Sequence, residues 1–199
     1  MIASIPPRGN PVQEQHAYWE NFLTKEDLDM LLALPQWHLK TIAEVGIADA
    51  GVVNKEMRTA DVAWFVPCEK TRHIWEKIVN AVAHVNNQFF HFDLTGCYEA
   101  AQLGIYKADD GGHYNWHIDC TGAAITTPRK LSLSLLLSDP SEFEGGELQV
   151  KTTTDTPITV EQKQGRAWFF PSYTLHRVTP VTRGVRRSLV LWVGGPPFK

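Results

Sequence analysis

The sequence predicts an α+β chain, mainly β, whose N-terminal helices pack on the outside of a C-terminal β-sandwich. Two amphipathic helical patterns fall before residue 91, whereas short β-prone runs follow from about residue 98. Clusters of Gly, Pro, Asp and Ser separate these runs, as expected for a sandwich or barrel of many short strands. Several runs alternate, as in LSLSLLL at 131–137, which is typical of strands with one buried face.

The first half of the chain supplies the helices. Thr24 opens the run TKEDLDMLLAL as an N-cap with acidic residues in the first turn, and Pro35 ends it. A second helix is predicted over about 69–90, where apolar residues recur with the helical period. Between the two, DVAWFV at 61–66 predicts a strand.

The second half supplies the sandwich. We predict its strands in the runs AAQLGIYKA, YNWHID, RKLSLSLLLS, GELQVKT, PITVEQ, AWFFP, HRVTPV and RRSLVLWVG. The chain is expected to form a single domain over residues 1–199, because 43% of its residues are hydrophobic and no linker interrupts it. Within it we expect a flexible N-terminal segment at 1–15, a support region at 16–97 and the β core at 98–199.

Composition excludes several classes of protein. The formal net charge of −3 argues against a nucleic-acid partner. No apolar run is long enough to span a bilayer, so no membrane partner is expected. The start, MIASIPPRGNPV, lacks the features of a signal peptide. Cys68, Cys97 and Cys120 show no C-x-x-C spacing, so we expect reduced thiols of no chemical role and a cytoplasmic location.

Three polar signals in the second half predict a metal site. His117 and Asp119 are two residues apart in a strand-like run, so both side chains are expected on one face. His176 lies in a second strand, and Arg186 or Arg187 lies in a third. Two histidines and one carboxylate make a facial triad that leaves open positions on an iron(II) ion. A buried arginine nearby offers a forked partner for a carboxylate.

These residues stand in blocks that resemble a known family. The blocks, in order, are QLGIYKADDGGHYNWHID, RKLSLSLLLSD, FEGGELQV and GRAWFFPSYTLHRVTPVTRGVRRSLVLWVGG. From about Tyr98 to Pro197 they resemble the iron(II)- and 2-oxoglutarate-dependent oxygenases, in particular the prolyl 4-hydroxylase-like branch. The resemblance implies a double-stranded β-helix (jelly-roll, cupin-like) core, with the N-terminal helices packed on one sheet.

The resemblance also assigns roles to residues. It implies that the catalytic metal ligands are His117, Asp119 and His176. It implies that the far carboxylate of 2-oxoglutarate binds the first of the two arginines, and that Arg187 points away because it lies on the opposite strand face. The residues it places around the cosubstrate are Arg186, Tyr106, Ser188 and Trp192. Relatives often carry a second tyrosine in the strand after H-x-D, and LSLSLLL has none.

The implied cofactors are Fe(II), 2-oxoglutarate as cosubstrate, and O2, with ascorbate as a reductant. The implied reaction converts 2-oxoglutarate and oxygen to succinate and carbon dioxide while a substrate C–H bond is hydroxylated. Residues near the metal motif and in the segment 55–65 are candidates for contact with substrate: Tyr114, Trp116, His113, Arg58 and Trp64. The structural alternative for the last two is a packed strand bearing a surface arginine.

The resemblance favours a prolyl residue in a peptide or protein as the substrate. The first alternative is a free amino acid or other small molecule, which a further internal charged clamp beyond Arg186 would favour. Oxidative demethylation of nucleic acid is disfavoured by the acidic balance and the lack of a basic aromatic patch. A non-catalytic, cupin-like metal-binding module is disfavoured because such a module needs no cosubstrate anchor.

Overall fold

A computed structural model of the chain describes residues 15–43, 53–120, 129–153 and 155–197. They form two antiparallel sheets stacked as a sandwich, with two α-helices packed on the larger sheet. The predicted flexible segment lies outside the described residues except for Gln15. No helix among the described residues is long and apolar enough to cross a membrane.

The larger sheet, here called the major sheet, comprises eight strands within the described residues. Their spatial order is β1 (Ala17–Trp19), β11 (Ala167–Pro171), β7 (Arg129–Leu136), β13 (Val181–Gly194), β5 (Ala101–Lys107), β4 (Asp61–Phe65) and β2 (Thr41–Ile42), with β8 (Phe143–Gly145) paired to β13. The smaller sheet, here called the minor sheet, runs in the order β10 (Ile158–Thr159), β9 (Leu148–Lys151), β12 (Leu175–Val178), β6 (His113–His117) and β3 (Arg58–Thr59). Between β5 and β13 the chain passes back and forth between the sheets, with β5, β7, β11 and β13 in the major sheet and β6, β9 and β12 in the minor sheet, which gives the double-stranded β-helix.

Two helices support the outer face of the major sheet. Helix α1 spans Lys25–Leu32 and helix α2 spans Arg72–Val85. A 3-10 turn at Glu69–Thr71 precedes α2 and a π-turn at Asn86–Phe90 follows it, so the predicted helix over 69–90 is one continuous helical segment of changing pitch.

Alternation in the strands divides the apolar side chains into two layers. The first layer joins the helices to the major sheet and includes Leu31 and Ile78 against Leu103, Leu133 and Leu189, all essentially inaccessible. The second layer lies between the two sheets. Its members are Ala43, Ala60, Val62, Tyr106, Leu148, Val150, Val160, Trp168, Phe170, Val178 and Val181. Polar residues within this second layer are therefore the candidates for chemistry.

The fold class predicted from the sequence is confirmed, including the helices on one sheet. The boundaries differ in one instructive place. The runs HRVTPV and RRSLVLWVG were predicted as two strands, but β12 ends at Val178 and β13 already begins at Val181. The first part of β13 pairs with the short strand β8, and its later part pairs with β5 and β7. A polar stretch therefore continues the strand because its backbone finds a partner.

A capping box starts α1 and also joins the two helices. The Thr24 hydroxyl accepts a hydrogen bond from the backbone N–H of Asp27 (3.2 Å), and the Asp27 carboxylate accepts one from the backbone N–H of Thr24 (2.8 Å). The same carboxylate contacts Lys77 and His73 of α2. The N-cap predicted at Thr24 is thus confirmed, and it orients the group that ties α1 to α2.

We predict that Thr24→Ala lowers the free energy of unfolding by about 1 kcal/mol, because the backbone N–H of Asp27 loses its side-chain partner. Urea unfolding followed by circular dichroism measures the change. The control is Thr24→Ser, which keeps the hydroxyl and should retain the stability of the natural chain. Equal stability of the alanine and serine variants would contradict a role for the cap.

Candidate active site

The structure brings His117, Asp119 and His176 together between the sheets. His117 ends β6 and is the direct cross-strand partner of His176 in β12. The Nε2 atom of His117 lies 3.7 Å from Oδ1 of Asp119, and the Nε2 atom of His176 lies 3.6 Å from Oδ2. One ligand atom from each residue lies within 4.8 Å of the others. Three such atoms can meet around one ion.

Asp119 reaches this position by a route that differs from the predicted one. The strand was expected to continue to Asp119, but it ends at His117, and Ile118 is exposed. Beyond the strand, the backbone N–H groups of Asp119 and Cys120 both donate to the carbonyl oxygen of Ser172, each at 2.9 Å. The carboxylate is therefore held by a turn tied to the segment before β12, not by strand alternation.

Each histidine is oriented by a backbone carbonyl two residues earlier. Nδ1 of His117 donates to the carbonyl oxygen of Asn115 at 2.8 Å, and Nδ1 of His176 donates to that of Thr174 at 2.9 Å. A proton on Nδ1 leaves Nε2 with its lone pair free, and both Nε2 atoms face Asp119. This outer contact is the usual way in which a protein fixes the tautomer of a metal-binding histidine.

Ser132 of the major sheet orients the carboxylate. Its hydroxyl donates to Oδ2 of Asp119 at 2.8 Å and lies 2.9 Å from the hydroxyl of Ser172. Both serines are inaccessible to solvent. The sequence analysis did not single out Ser132, although a signal was present, because a serine on the inward face of the apolar run LSLSLLL needs a polar partner.

Burial and neighbouring charge set the protonation of the triad. Burial, and then the facing His176 ring, lower the pKa of His117 to about 3, so its imidazole is neutral at ordinary pH. Burial alone would raise the pKa of the Asp119 carboxyl, but His176, His117 and Ser132 together hold that pKa below its usual range. A neutral imidazole and an ionised carboxylate are the protonation states in which these side chains bind metal.

The donor set fits iron(II). Two imidazole nitrogens and one carboxylate form a facial set that leaves further positions open for other ligands, as in non-haem iron oxygenases. A closed structural zinc site would use four protein ligands, commonly with thiolates. The nearest cysteine in sequence, Cys120, does not belong to the cluster found among the described residues.

Arg186 lies deeper between the sheets, on β13. It is 3% exposed, its Nη1 donates to the hydroxyl of Ser188 at 3.0 Å, and its Nε has no hydrogen-bond partner. No carboxylate within the described residues pairs with it. By contrast, buried Arg166 is neutralised by Glu20 and Glu161. Because a buried charge is costly when unpaired, Arg186 is suited to an anionic ligand.

Two glycines allow the side chains around Arg186 to pack closely. Tyr106 is the cross-strand partner of Arg186 on β5, and Gly104 is the partner of Ser188. A side chain at Gly104 would place its Cβ 3.1 Å from the Tyr106 ring and 3.3 Å from the Ser188 hydroxyl. At Gly146, in the left-handed region at φ +60°, a Cβ would lie 2.8 Å from Cδ of Arg186. Larger residues at these two positions would displace Tyr106, Ser188 or Arg186.

The other residues predicted around the cosubstrate occupy different places. Arg187 pairs with Ile105 on the helix-facing side of the major sheet, and is directed away from the sandwich interior as predicted. Trp192 is buried and is the cross-strand partner of Ser132, so it lies near the metal ligands rather than near Arg186. The guanidinium of Arg129 stacks on its ring at 3.7 Å.

Tyr114 and Arg58 form a layered stack on the metal ligand. The Tyr114 ring lies parallel to the His117 ring, with centroids 3.5 Å apart, and Cζ of Arg58 lies 4.5 Å from the Tyr114 centroid. Arg58 is 6% exposed, so the expectation of a surface arginine was wrong. Its Nη2 donates to Oε1 of Gln102 on the major sheet at 2.7 Å, which bridges the two sheets. Gln102 was not singled out in the sequence.

The other three residues predicted to contact substrate lie in different parts of the sandwich. Trp64 is the cross-strand partner of Gln102 and is 45% exposed at the rim of the sandwich. The structure does not bring Trp116 to the triad, because Trp116 directly precedes inward-facing His117 and so lies on the outer face, where Arg177 lies 4.7 Å above its ring. The bulge in β6 instead brings Tyr114 to the same face as His117. The ring of His113 contacts the backbone carbonyls of Gly111 and Glu56, so it braces the β3–β6 edge.

Comparison with known proteins agrees with this geometry. Residues 101–194 match the family described as the 2OG-Fe(II) oxygenase superfamily. Two PKHD-type hydroxylases, from Teredinibacter turnerae and Prochlorococcus marinus, are 40% and 42% identical over 90 and 88 residues. The matched segments are 42% and 44% of this chain and 38% of each relative. The match thus spans about two fifths of the length of these relatives.

Solved structures share the fold across almost the whole chain. A prolyl hydroxylase from Trichoplax adhaerens, in complex with a hypoxia inducible factor peptide fragment, superposes with a TM-score of 0.75 at 18% identity, covering 90% of this chain and 83% of that one. A Pseudomonas putida prolyl-4-hydroxylase gives 0.69 at 19% identity, covering 92% and 94%. The viral collagen prolyl hydroxylase of Paramecium bursaria Chlorella virus-1, solved with 2OG, gives 0.67 at 22% identity, covering 92% and 97%.

The β-helix core and the triad agree with the match of residues 101–194 to the 2OG-Fe(II) oxygenase superfamily. The overall fold is one that the chain shares with solved prolyl hydroxylases.

We predict that Ser132→Ala weakens metal binding about 10- to 100-fold, because the Asp119 carboxylate loses the donor that orients it. Titration of the protein with Mn(II), followed by electron paramagnetic resonance of the free ion, measures the affinity. The matched control is Ser134→Ala, two residues along the same face of β7, for which no contact with Asp119 is found. Equal affinities of the two variants would contradict the role of Ser132.

Proposed function

We propose that this chain is an iron(II)- and 2-oxoglutarate-dependent dioxygenase that hydroxylates an unactivated C–H bond of a prolyl residue in a peptide or protein. The observation that carries the proposal is the combination of an open facial triad with buried Arg186, which has no acidic partner among the described residues. A metal-binding module without catalysis needs the first feature but not the second.

Each part of the chain has a task in this reaction. His117, Asp119 and His176 hold the ion, and Arg186 and Ser188 bind the far carboxylate of 2-oxoglutarate. Gly104 lets the Tyr106 ring and the Ser188 hydroxyl lie close together beside Arg186. When bound, iron and 2-oxoglutarate supply the oxidising chemistry, in which oxygen is reduced, succinate and carbon dioxide form, and one oxygen atom enters the substrate. Buried aromatic residues around the triad exclude water from it. Ascorbate as a reductant stays a prediction.

The names of the proteins that this chain resembles support a prolyl substrate. Two of the structural neighbours are named prolyl hydroxylases of a peptide or of collagen, and the curated relatives are named PKHD-type hydroxylases. A free amino acid or other small molecule remains the alternative substrate.

We predict that Arg186→Ala weakens binding of 2-oxoglutarate by about 2–5 kcal/mol, because its carboxylate loses a buried charged partner. Isothermal titration of the Mn(II)-loaded protein with 2-oxoglutarate measures this affinity. Arg187→Ala is the matched control, since it removes a guanidinium from the neighbouring position on the opposite face of β13. If the control loses affinity and Arg186→Ala does not, the cosubstrate anchor has been assigned to the wrong residue.

The proposed activity is tested by succinate release. The iron(II)-loaded protein is incubated with 2-oxoglutarate and oxygen, with and without a panel of proline-containing peptides. We expect peptide-stimulated succinate and a peptide mass gain of one oxygen atom, both absent from the Asp119→Ala variant. Succinate that no peptide stimulates would contradict the prolyl substrate while keeping the oxygenase. No succinate under any condition, from protein that binds Fe(II), would overturn the proposal.

A further inference from the structure

Two of the three arginines that are buried in the described part of the chain have no acidic partner. Arg58, Arg166 and Arg186 are each less than 9% exposed. Arg166 is paired with two glutamates, whereas the hydrogen-bond partners of Arg58 and Arg186 among the described residues are neutral, Gln102 and Ser188. All three arginines have a buried Nε without a hydrogen-bond partner, so the contrast lies in the charge of their partners. A sandwich of this size has no structural need for two uncompensated cations.

The two cations lie at opposite ends of one row of residues. The inward face of β5 carries Gln102, Gly104 and Tyr106 in succession. Gln102 holds Arg58, and Tyr106 is the cross-strand partner of Arg186. At about 3.3 Å per residue, Gln102 and Tyr106 are roughly 13 Å apart along the strand. One anion therefore cannot neutralise both guanidinium groups. With 2-oxoglutarate assigned to Arg186, Arg58 needs an anion of its own.

Arg58 stands beside the metal triad at the rim of the sandwich. The Tyr114 ring separates its guanidinium from His117, in a stack with spacings of 4.5 Å and 3.5 Å. Exposed Trp64 lies next to Gln102 on the same face of the major sheet. The exposed indole and the buried guanidinium therefore share Gln102 as a neighbour. Gln102 fixes Nη2 and leaves Nε available.

We propose that Arg58 binds a carboxylate of the substrate, so that the accepted substrates are acids: a free amino acid, or a peptide with an acidic side chain or carboxyl terminus next to the reacting residue. This inference rests on the proposed function, because it takes Arg186 to be occupied by 2-oxoglutarate. Arg58 is thereby a specificity-determining residue outside the metal and cosubstrate sites, and it distinguishes negatively charged substrates from neutral ones.

The first test uses matched acid and amide probes on the natural protein. The chain is loaded with Mn(II) and saturating 2-oxoglutarate, so that binding is measured by calorimetry without turnover. The probe pairs are N-acetyl-L-proline against N-acetyl-L-prolinamide, and amidated peptides containing Pro-Glu or Glu-Pro against those containing Pro-Gln or Gln-Pro. We expect the acid of at least one pair to bind about 30-fold tighter than its amide, or better. The pair that discriminates distinguishes a free acid from a peptide.

Variants then locate the source of the preference. Arg58→Gln should bind the acid and the amide alike, and Arg58→Lys should keep part of the preference because it keeps the charge. The matched control is Arg177→Gln. Arg177 also contacts a glutamine, Gln149, and an aromatic ring, Trp116, but on the outer face of the minor sheet. This control should keep the full preference.

Failure of the inference differs from failure of the proposed function. If 2-oxoglutarate does not bind the natural protein, the proposed function fails. If it binds, but acids and amides bind alike or none of the acids binds, the role of Arg58 is overturned and the cosubstrate site stands. An acid preference that persists in Arg58→Gln overturns it as well. Because the acid and amide comparison is made on the natural protein, a variant that does not fold leaves the inference testable.

Discussion

The cross-strand pairing of His117 with His176 is the interaction on which the rest of the site depends. It fixes two imidazole rings at one point of the minor sheet, and backbone carbonyls set both tautomers. Asp119, the third residue of the triad, is fixed from outside that sheet. Backbone hydrogen bonds to the Ser172 carbonyl hold its turn, and a hydrogen bond from Ser132 of the major sheet holds its carboxylate. The metal site therefore exists only when the two sheets are stacked in register, and it connects folding of the sandwich to assembly of the triad.

Charge inside the sandwich imposes the second constraint. The space between the sheets is lined by apolar side chains, in which a guanidinium without a counter-ion is unfavourable. The protein satisfies this condition at Arg166 with its own glutamates, whereas Arg186 has no acidic partner among the described residues. An anion bound beside Arg186 would relieve an electrostatic cost already present in the folded chain.

Much of this arrangement could be predicted from residue patterns, and the limits have physical causes. Strand alternation correctly placed the β core and the outward direction of Arg187, and the N-cap at Thr24 marked α1. The strand was extended too far at Asp119, because a turn held by a distant carbonyl leaves no local signal. The alternative that Arg58 lies on the surface was wrong, since its burial depends on Gln102, 44 positions away. A β-bulge brings Tyr114 to the same face as His117, whereas Trp116 keeps the outward direction that alternation gives it, and bulges are invisible in the alternation itself.

The inward row of β5 separates two buried arginines along a single strand. Gln102 holds Arg58 at one end, beside Tyr114 and the triad, and Tyr106 lies opposite Arg186 at the other end. The backbone of this strand is fixed by β4 on one side and β13 on the other. Side chains at one end can therefore change without displacing those at the other end. For the protein engineer, β3 and the first half of β5 are a region that can be randomised while the surroundings of Arg186 are kept.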